Sequence, residues 1–491
     1  MNNFLFLIPE IFLISVLLII IFFIPFLSNR IVYKYINLIN FIEIFLVINL
    51  FMYIYLNLNS WIYNEHIIFN NIFVNNNFSV FFKILISSIS ILIIISIKEH
   101  INIVFKNNND FYIIFLFLFI SLTFLIMCFD LIYAALFIQM QNLTFYIFLA
   151  LNNKVNRSLE SALKYFFLSS VAFGIYMFGV SIIYFCLGTT KLNEIFYLTI
   201  YNNLHQIHIN LLLISFILII LSFFFILSVA PFHFWAPDVY LGMDRSVLII
   251  FSIIPKLSLL FFFYKLYLYI FKNFFFPWEQ FFIFFIFLTF LIGFFGAVYS
   301  KNIQNLFAFF WIFTVGFLLI FFVLDINTFF YLFIFLYGIN IFFFCICILL
   351  FKEEINNYKE LSLINQVFFL KKINFIFFIC IIVSIFALLG LPPLSGFIGK
   401  FFIFISMLQE KYYLLIFFIF FFTIISCFYY LKLIKILSFN NNNKWFFFKK
   451  IDKKKSYILS FFLIYNLFSF FLMPFFVEFF KFLYLSSLFF L

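Results

Sequence analysis

Stretches of about twenty apolar residues recur along almost the entire chain, and they constrain its fold more than any other feature. A helix of about 20 apolar residues crosses the hydrocarbon core of a membrane, and about fourteen such stretches can be counted. Charged residues make up only 10% of the 491 residues, whereas soluble domains average about 25%. The sequence therefore predicts an all-α, polytopic membrane protein with about 14 transmembrane helices.

The polar connections are too short to hold a soluble domain, so residues 1–491 are expected to form a single membrane domain. We expect three N-terminal helices in residues 1–110 and one C-terminal helix in residues 456–491. Residues 111–272 and 280–436 hold the remaining spans.

Most of the lysines and arginines lie in every second connection between the predicted spans. By the positive-inside rule these connections face the side of synthesis, which places both termini on the opposite side. The net charge of +11 is thereby explained by topology, and no nucleic-acid partner is expected. No Lys or Arg precedes Arg30, so neither a secretory signal nor a transit peptide is expected. The 99 phenylalanines fit AT-rich codon usage, which favours organelle encoding.

No sequence pattern for a cofactor is present. The chain has no glycine-rich phosphate loop and no dinucleotide-binding fingerprint. Its six cysteines lack the spacing of metal or iron–sulfur ligands. We therefore expect no cofactor and no metal on this chain.

Four lysines lie in or beside apolar spans, where a charged side chain costs at least ~2.5 kcal/mol. Because burial disfavours the charged form, such a lysine can gain and lose a proton. Two of them have a structural alternative. Lys83, near the start of its span, can snorkel to the interface, and Lys164, four residues after Glu160, can form a helical ion pair. In chain order the four are Lys83, Lys164, Lys256 and Lys400.

Prolines predict two broken helices. Pro231 and Pro237 interrupt the seventh span, and the pair Pro392–Pro393 interrupts the twelfth, just before Lys400. Broken helices are common in ion transporters, although a packing kink is the simpler explanation. His233 lies in the first break and is a possible proton relay, or a loop histidine with satisfied hydrogen bonds.

Several segments together resemble a known family. The segments are APFHFWAPDVY followed by SIIPKLSLLF, LGLPPLSGFIGKFFIF, SCFYYLKLIKIL, ESALKYFFLSSVAFGIYMFGVSIIY and LIPEIFL. Taken in chain order, they resemble the subunit 2 branch (the bacterial N subunit) of the antiporter-like subunits of respiratory complex I, the NADH:quinone oxidoreductase, and this resemblance implies a multi-pass protein of the mitochondrial inner membrane.

The resemblance implies a fold of fourteen helices with two inverted five-helix repeats, helices 4–8 in residues 111–272 and helices 9–13 in residues 280–436. It implies that Lys164, Lys256 and Lys400 are proton-path lysines, and that transfer of electrons from NADH to ubiquinone elsewhere in the complex drives proton translocation. It also implies partners: the antiporter-like subunit 4, the small subunit 4L on the other side, and membrane lipids such as cardiolipin.

Three positions depart from the family pattern. Gln139 aligns with the family's helix 5 glutamate, Ile226 with its helix 7 lysine, and Thr314 with a position where bacterial relatives often have histidine. If the acid and the base are lost together, neither charge is left buried without its partner. We expect Ile226 to pack against apolar side chains and no carboxylate to replace Gln139. The amide of Gln139 is expected to hydrogen-bond to Lys164 or to water.

Two other functions remain open from the sequence. One is a subunit of a sodium/proton antiporter complex, which resembles the same family. The other is a structural subunit of complex I with impaired pumping, an alternative that follows from the neutral residues Gln139 and Ile226.

Overall fold

The fold was analysed in a computed structural model, and it is almost entirely helical. The structure describes residues 6–27, 38–60, 66–104, 108–151, 156–201, 206–271, 278–324, 327–350, 375–439 and 452–488. Of the basic connections that underlie the expected orientation, residues 28–37, 105–107, 152–155, 351–374 and 440–451 lie outside these residues.

The helices up to residue 271 form the first half of the chain. They are α1 (Ile8–Leu27), α2 (Leu38–Ser60), α3 (Asn77–Val104), α4 (Asn108–Met127), α5 (Leu131–Ala150), α6 (Asn156–Leu187), α7 (Leu192–Tyr201), α8 (Gln206–Ile226), α9 (Trp235–Gly242) and α10 (Arg245–Leu266), which ends in a π-helical turn, Tyr267–Phe271.

The second half continues with α11 (Trp278–Tyr299), α12 (Ile303–Leu324), α13 (Asn327–Leu349), α14 (Phe375–Leu389), α15 (Ser395–Gln409), α16 (Tyr413–Phe439), α17 (Lys453–Phe468) and α18 (Met473–Leu488). The helix is interrupted at both places where prolines predicted a break, between α8 and α9 and between α14 and α15.

The chain divides into two compact units. The first comprises Met1–Ile226, Ile254–Phe276 and Leu485–Leu491, and the second comprises Leu227–Ile253 and Pro277–Tyr484. In the first unit α3 packs on α2, α5 lies between α4 and α6, and α8 runs along α6. In the second unit α11 and α12 pair along their length, and α13 packs against α14 and α15.

The all-α prediction is nearly correct, with one exception. A short antiparallel hairpin, β1 (His66–Ile68) and β2 (Phe73–Asn75), precedes α3. Phe73 of the hairpin is buried with Phe6, Leu56 and Met127 in one apolar cluster. The hairpin therefore covers the end of the N-terminal helices at which α1 and α3 begin.

The expected count of about 14 spans is not confirmed. Among the described residues, 10 helices are long and apolar enough to cross a membrane, or up to 11 if one bent pair is a single span. Four apolar helices are shorter, and two of these, α14 and α15, are short because the proline break divides one span.

The C-terminal helix expected in residues 456–491 also differs from the prediction. It consists of α17 and α18, which meet at an angle of 93°. The turn between them, Ser469–Leu472, contains no proline, and Pro474 lies inside the first turn of α18, where proline is tolerated.

Candidate functional site

Lys400 lies on α15 and closes the break in the twelfth predicted span. Its Nζ donates to the carbonyl oxygen of Leu389 at 2.6 Å and lies 3.4 Å from that of Leu388. These carbonyls end α14 and have no donor within the helix. The negative end of the helix dipole also favours a cation here. The Lys400 ammonium further lies 5.2 Å from the ring centre of Phe317.

Two glycines allow the chain to approach this closely. Gly390 has a φ of +79°, and a Cβ there would meet the Cδ of Lys400 at 2.9 Å. A Cβ on Gly396 would lie 1.8 Å from the carbonyl oxygen of Ala387. Both positions require glycine, so the run of glycines around the proline pair is explained by the contact between α14 and the first turn of α15.

The first turn of α15 is fixed by two buried amides. The Ser395 hydroxyl lies 2.7 Å from Oδ1 of Asn340 on α13 and 2.6 Å from Oδ1 of Asn466 on α17. Asn466 in turn donates to the carbonyl of Phe462 at 3.0 Å. This network orients the second half of the broken helix, and with it Lys400.

Lys256 lies on α10 and is buried, at 6% exposure. The membrane-spanning window of this helix is 100% buried, so the lysine cannot reach water by snorkelling outward. Pro255 lacks an N–H and removes one helical hydrogen bond directly before it. The Ser258 hydroxyl donates to the Pro255 carbonyl at 2.9 Å. Lys256 belongs to the first unit, whereas Lys400 belongs to the second.

His233 lies in the break between α8 and α9. Its Nδ1 is 3.2 Å from the Pro231 carbonyl oxygen, which requires an N–H on Nδ1 and leaves Nε2 as the acceptor of a neutral ring. At the same break, the Trp311 indole donates to the carbonyl of Leu227 at 3.0 Å. As at the other break, a side chain from a neighbouring helix satisfies the carbonyl that the interruption leaves without a partner.

Lys164 does not lie in the interior of the chain. On α6 its ammonium pairs with Glu160 at 2.8 Å, and the two side chains are 42% and 64% exposed. This is the helical ion pair that the four-residue spacing indicated as the structural alternative. Lys164 does not donate to Gln139, because the buried Oε1 of Gln139 has no hydrogen-bond partner among the described residues; a hydrogen bond from Gln139 to water stays a prediction.

Gln139 is part of a larger group of amides on α5. Gln141 is 2% exposed and Asn142 5%. Within the part of the chain that the structure describes, both polar atoms of the Gln141 amide and the nitrogen of Asn142 lack hydrogen-bond partners. Asn142 Oδ1 accepts from the Tyr165 hydroxyl at 2.9 Å. Sequence reasoning identified only Gln139, although the polar run QMQN inside an apolar span was a visible signal.

Two further basic residues are buried. Lys265 lies at the end of α10, is 5% exposed and donates to the carbonyl of Ile126. It also lies 4.4 Å from the ring centre of Phe129, so it caps the C-terminus of α4 in the same manner as Lys400 caps α14. Lys83 does not snorkel; it pairs with Glu10 in the interior.

The family model described as "NADH:quinone oxidoreductase/Mrp antiporter, TM" matches residues 128–426. This chain belongs to that family. Among its relatives, NADH-ubiquinone oxidoreductase chain 2 of Marchantia polymorpha is 30% identical over 355 residues, covering 70% of each chain. NADH-quinone oxidoreductase subunit N 1 of Thermodesulfovibrio yellowstonii is 29% identical over 351 residues, covering 70% of this chain and 73% of its own.

Solved structures show the same fold for this NADH:quinone oxidoreductase/Mrp antiporter family member. A chain of respiratory complex I from Thermus thermophilus superposes with a TM-score of 0.75 at 17% identity, covering 95% of this chain and 99% of its own. A chain of the archaeal membrane-bound sulfane sulfur reductase superposes with a TM-score of 0.81 at 18% identity, covering 97% and 96%.

Proposed function

We propose that this chain is the subunit 2 component of the membrane arm of complex I and carries protons across the membrane, driven by electron transfer from NADH to ubiquinone. The relatives with this name and the match to the antiporter family support the assignment. The chain itself holds neither the NADH site nor a redox centre in this proposal. Among the described residues, no group of three or more His, Cys, Asp or Glu side chains could bind a metal ion.

The environment of Lys400 is the observation that carries the proposal. Within the described residues its hydrogen-bond partners are two backbone carbonyls, and no carboxylate holds its charge. A neutral lysine amine retains N–H donors, so it can still donate to Leu389 after it loses a proton. Lys400 can therefore change charge without leaving a stranded counter-ion or an unsatisfied carbonyl.

Lys256 and His233 have the properties of further carriers on the path. Lys256 is enclosed in the protein beside a proline. His233 presents an acceptor nitrogen at a helix break, where exposed backbone groups can hold water. Lys164, paired with Glu160 on the outer surface, is assigned a place at the entrance to the path or at a contact with a neighbouring subunit.

Protons enter, in this proposal, without the acid that the family carries on helix 5. The unpartnered amide atoms of Gln139, Gln141 and Asn142 supply donors and acceptors for bound water. Water held by amides can pass a proton along a chain, although an amide cannot store one at neutral pH. In this proposal the lysines are therefore the groups that bind and release the protons.

The proposed setting is the mitochondrial inner membrane, with both termini on the intermembrane-space side. The proposed neighbours are the antiporter-like subunit 4 and the small subunit 4L, and cardiolipin is the proposed lipid. Large apolar side chains such as Phe185 (74% exposed) and Leu414 (80%) cover the outside of this chain, which fits burial against lipid and neighbouring helices.

The test compares the assembled complex with and without Lys400. In sealed vesicles, Lys400→Met should lower the number of protons translocated per NADH oxidised. The matched control is Lys301→Met, at an exposed lysine in the connection between α11 and α12, which should behave as wild type. Unchanged translocation in Lys400→Met, with normal assembly, would show that this lysine only caps α14.

A structural subunit with impaired pumping is the second candidate. The ion pair of Lys164 with Glu160 and the absence of an acid at Gln139 favour it. Under this alternative, vesicles carrying the wild-type complex would translocate fewer protons per NADH than a complex whose subunit has the acid and the base, and Lys400→Met would not lower the ratio further. Co-purification with NADH-oxidising subunits separates both candidates from a sodium/proton antiporter complex.

A further inference from the structure

A buried ion pair lies among the N-terminal helices, separate from the lysines assigned to the proton path. Lys83 Nζ is 2.7 Å from Glu10 Oε1, and the two side chains are 1% and 0% exposed. Glu10 lies in the first turn of α1, and Lys83 lies near the start of α3. The pair is therefore buried near the end of the bundle that the β-hairpin covers.

The groups around the pair interact with the Lys83 ammonium and with one of the two carboxylate oxygens of Glu10. Lys83 also donates to Asn75 Oδ1 of β2 at 2.7 Å, and it lies 5.5 Å from the ring centre of Tyr53 on α2. The Tyr53 hydroxyl donates to Glu10 Oε1 at 3.1 Å. Oε1 thus accepts two hydrogen bonds, one from a cation and one from a phenol.

The other carboxylate oxygen is different. Glu10 Oε2 is buried and has no hydrogen-bond partner among the residues that the structure describes. An unsatisfied oxygen on a buried, charged carboxylate costs more free energy than an unsatisfied oxygen on a neutral polar group. A proton on Oε2 removes the charge of the carboxylate and leaves both hydrogen bonds to Oε1 in place, because a carboxylic acid still accepts at its carbonyl oxygen.

The remaining polar groups around the pair are uncharged. Asn75 Nδ2 donates to the Phe6 carbonyl at 3.1 Å, and Asn49 on α2 donates to the Pro9 carbonyl at 2.8 Å. Among the side chains that the structure describes on α1, α2, α3, α4 and the hairpin, the titratable groups that face the site are thus Glu10, Tyr53 and Lys83, and α4 adds the uncharged hydroxyl of Thr123 beside Tyr53. A purely structural tether does not need this arrangement, because apolar residues of similar size stabilise a buried contact as well or better.

We propose that Glu10, held by Lys83 and Tyr53, is a further proton-carrying site of this chain, located in the N-terminal helices. This inference rests on the proposed proton translocation. In the resting pair, Lys83 is an ammonium and Glu10 a carboxylate, with no net charge. Glu10 Oε2 takes a proton from water or hydronium at this end of the bundle, which forms an O–H bond and gives the site one positive charge. Return of that proton to water restores the ion pair, and no electrons move.

The test uses two variants in the assembled complex. Glu10→Gln retains an acceptor for Lys83 and Tyr53 but cannot bind a proton, so protons translocated per NADH should fall below the wild-type ratio. Ser90→Ala removes a buried hydrogen bond from α3, two turns beyond Lys83, and leaves the whole cluster in place, so it controls for loosened packing and should retain the wild-type ratio. A wild-type complex that translocates no protons would contradict the proposed function itself; a normal wild-type ratio that Glu10→Gln leaves unchanged contradicts only this inference.

An infrared measurement keeps the inference testable if Glu10→Gln does not assemble. Difference spectra of the wild-type complex between resting and turning-over states should contain the C=O stretch of a buried protonated carboxyl group. In Tyr53→Phe this band should shift, because the phenol no longer donates to the Glu10 carbonyl oxygen. If the band is absent from the wild type, or unmoved in Tyr53→Phe, Glu10 does not carry the proton.

Discussion

The ammonium of Lys400 donates at 2.6 Å to the carbonyl of Leu389, the last residue of α14. A helix that stops inside a membrane exposes carbonyls for which lipid offers no donor. Here the Lys400 side chain, the proposed proton carrier, also donates a hydrogen bond to the exposed carbonyl of Leu389. The stability of the broken helix and the position of the proposed proton carrier therefore depend on the same contact.

The first prediction concerns this double role. Lys400→Arg should retain the helix cap, because a guanidinium donates to carbonyls, but it should lose proton translocation, because arginine stays protonated. Thermal unfolding of the detergent-solubilised complex and the ratio of protons to NADH should be measured together. Full translocation by Lys400→Arg would mean that the lysine need not release a proton.

The second prediction concerns Gly390. Gly390→Ala should destabilise the chain by about 1–3 kcal/mol, because the alanine must adopt a positive φ and its Cβ meets the Cδ of Lys400. The matched control is Gly174→Ala, at a helical position where a Cβ meets nothing within 4 Å, and it should be neutral or stabilising. Equal unfolding temperatures for the two variants would contradict this account of the break.

The third prediction concerns the missing acid and base. Gln139→Glu alone should reduce assembly or stability, because it buries an acid for which the family's basic partner is absent. Adding Ile226→Lys should recover part of the loss, and the recovery measures the coupling between the two positions in a double-mutant cycle. If the effects are simply additive, the two side chains do not interact, and the loss of the pair as a unit is unsupported.

The fourth prediction concerns orientation. Lys301→Cys and Lys411→Cys introduce thiols at exposed positions in two connections of opposite parity. An impermeant maleimide should label the first only from the matrix side and the second only from the intermembrane-space side. The natural Cys128, which also lies in a connection, should stay silent, because burial raises its pKa to about 12 and keeps it as a thiol. The reverse labelling pattern would invert the assigned topology.

The sequence by itself determined the class of fold and the two helix breaks. Apolar stretches of membrane-spanning length permit only helices that satisfy their own backbone, and proline removes a donor wherever it occurs. The same logic selected Lys256 and Lys400 as candidate proton carriers, because a lysine inside an apolar span is costly and can lose its charge. These are local properties, and they hold wherever the segments pack.

Tertiary structure decided which charged groups meet. Glu10 and Lys83 are 73 residues apart, and no periodicity in either helix indicates that their side chains form a buried pair. The hairpin that supplies Asn75 is similarly invisible, because strands of three residues carry too short a pattern to predict. Lys265 ends an apolar stretch of the sequence, yet the carbonyls of Ile126 and Cys128 hold its ammonium inside the fold. Partners of buried charges are chosen by packing between distant segments, and only the folded chain brings those segments together.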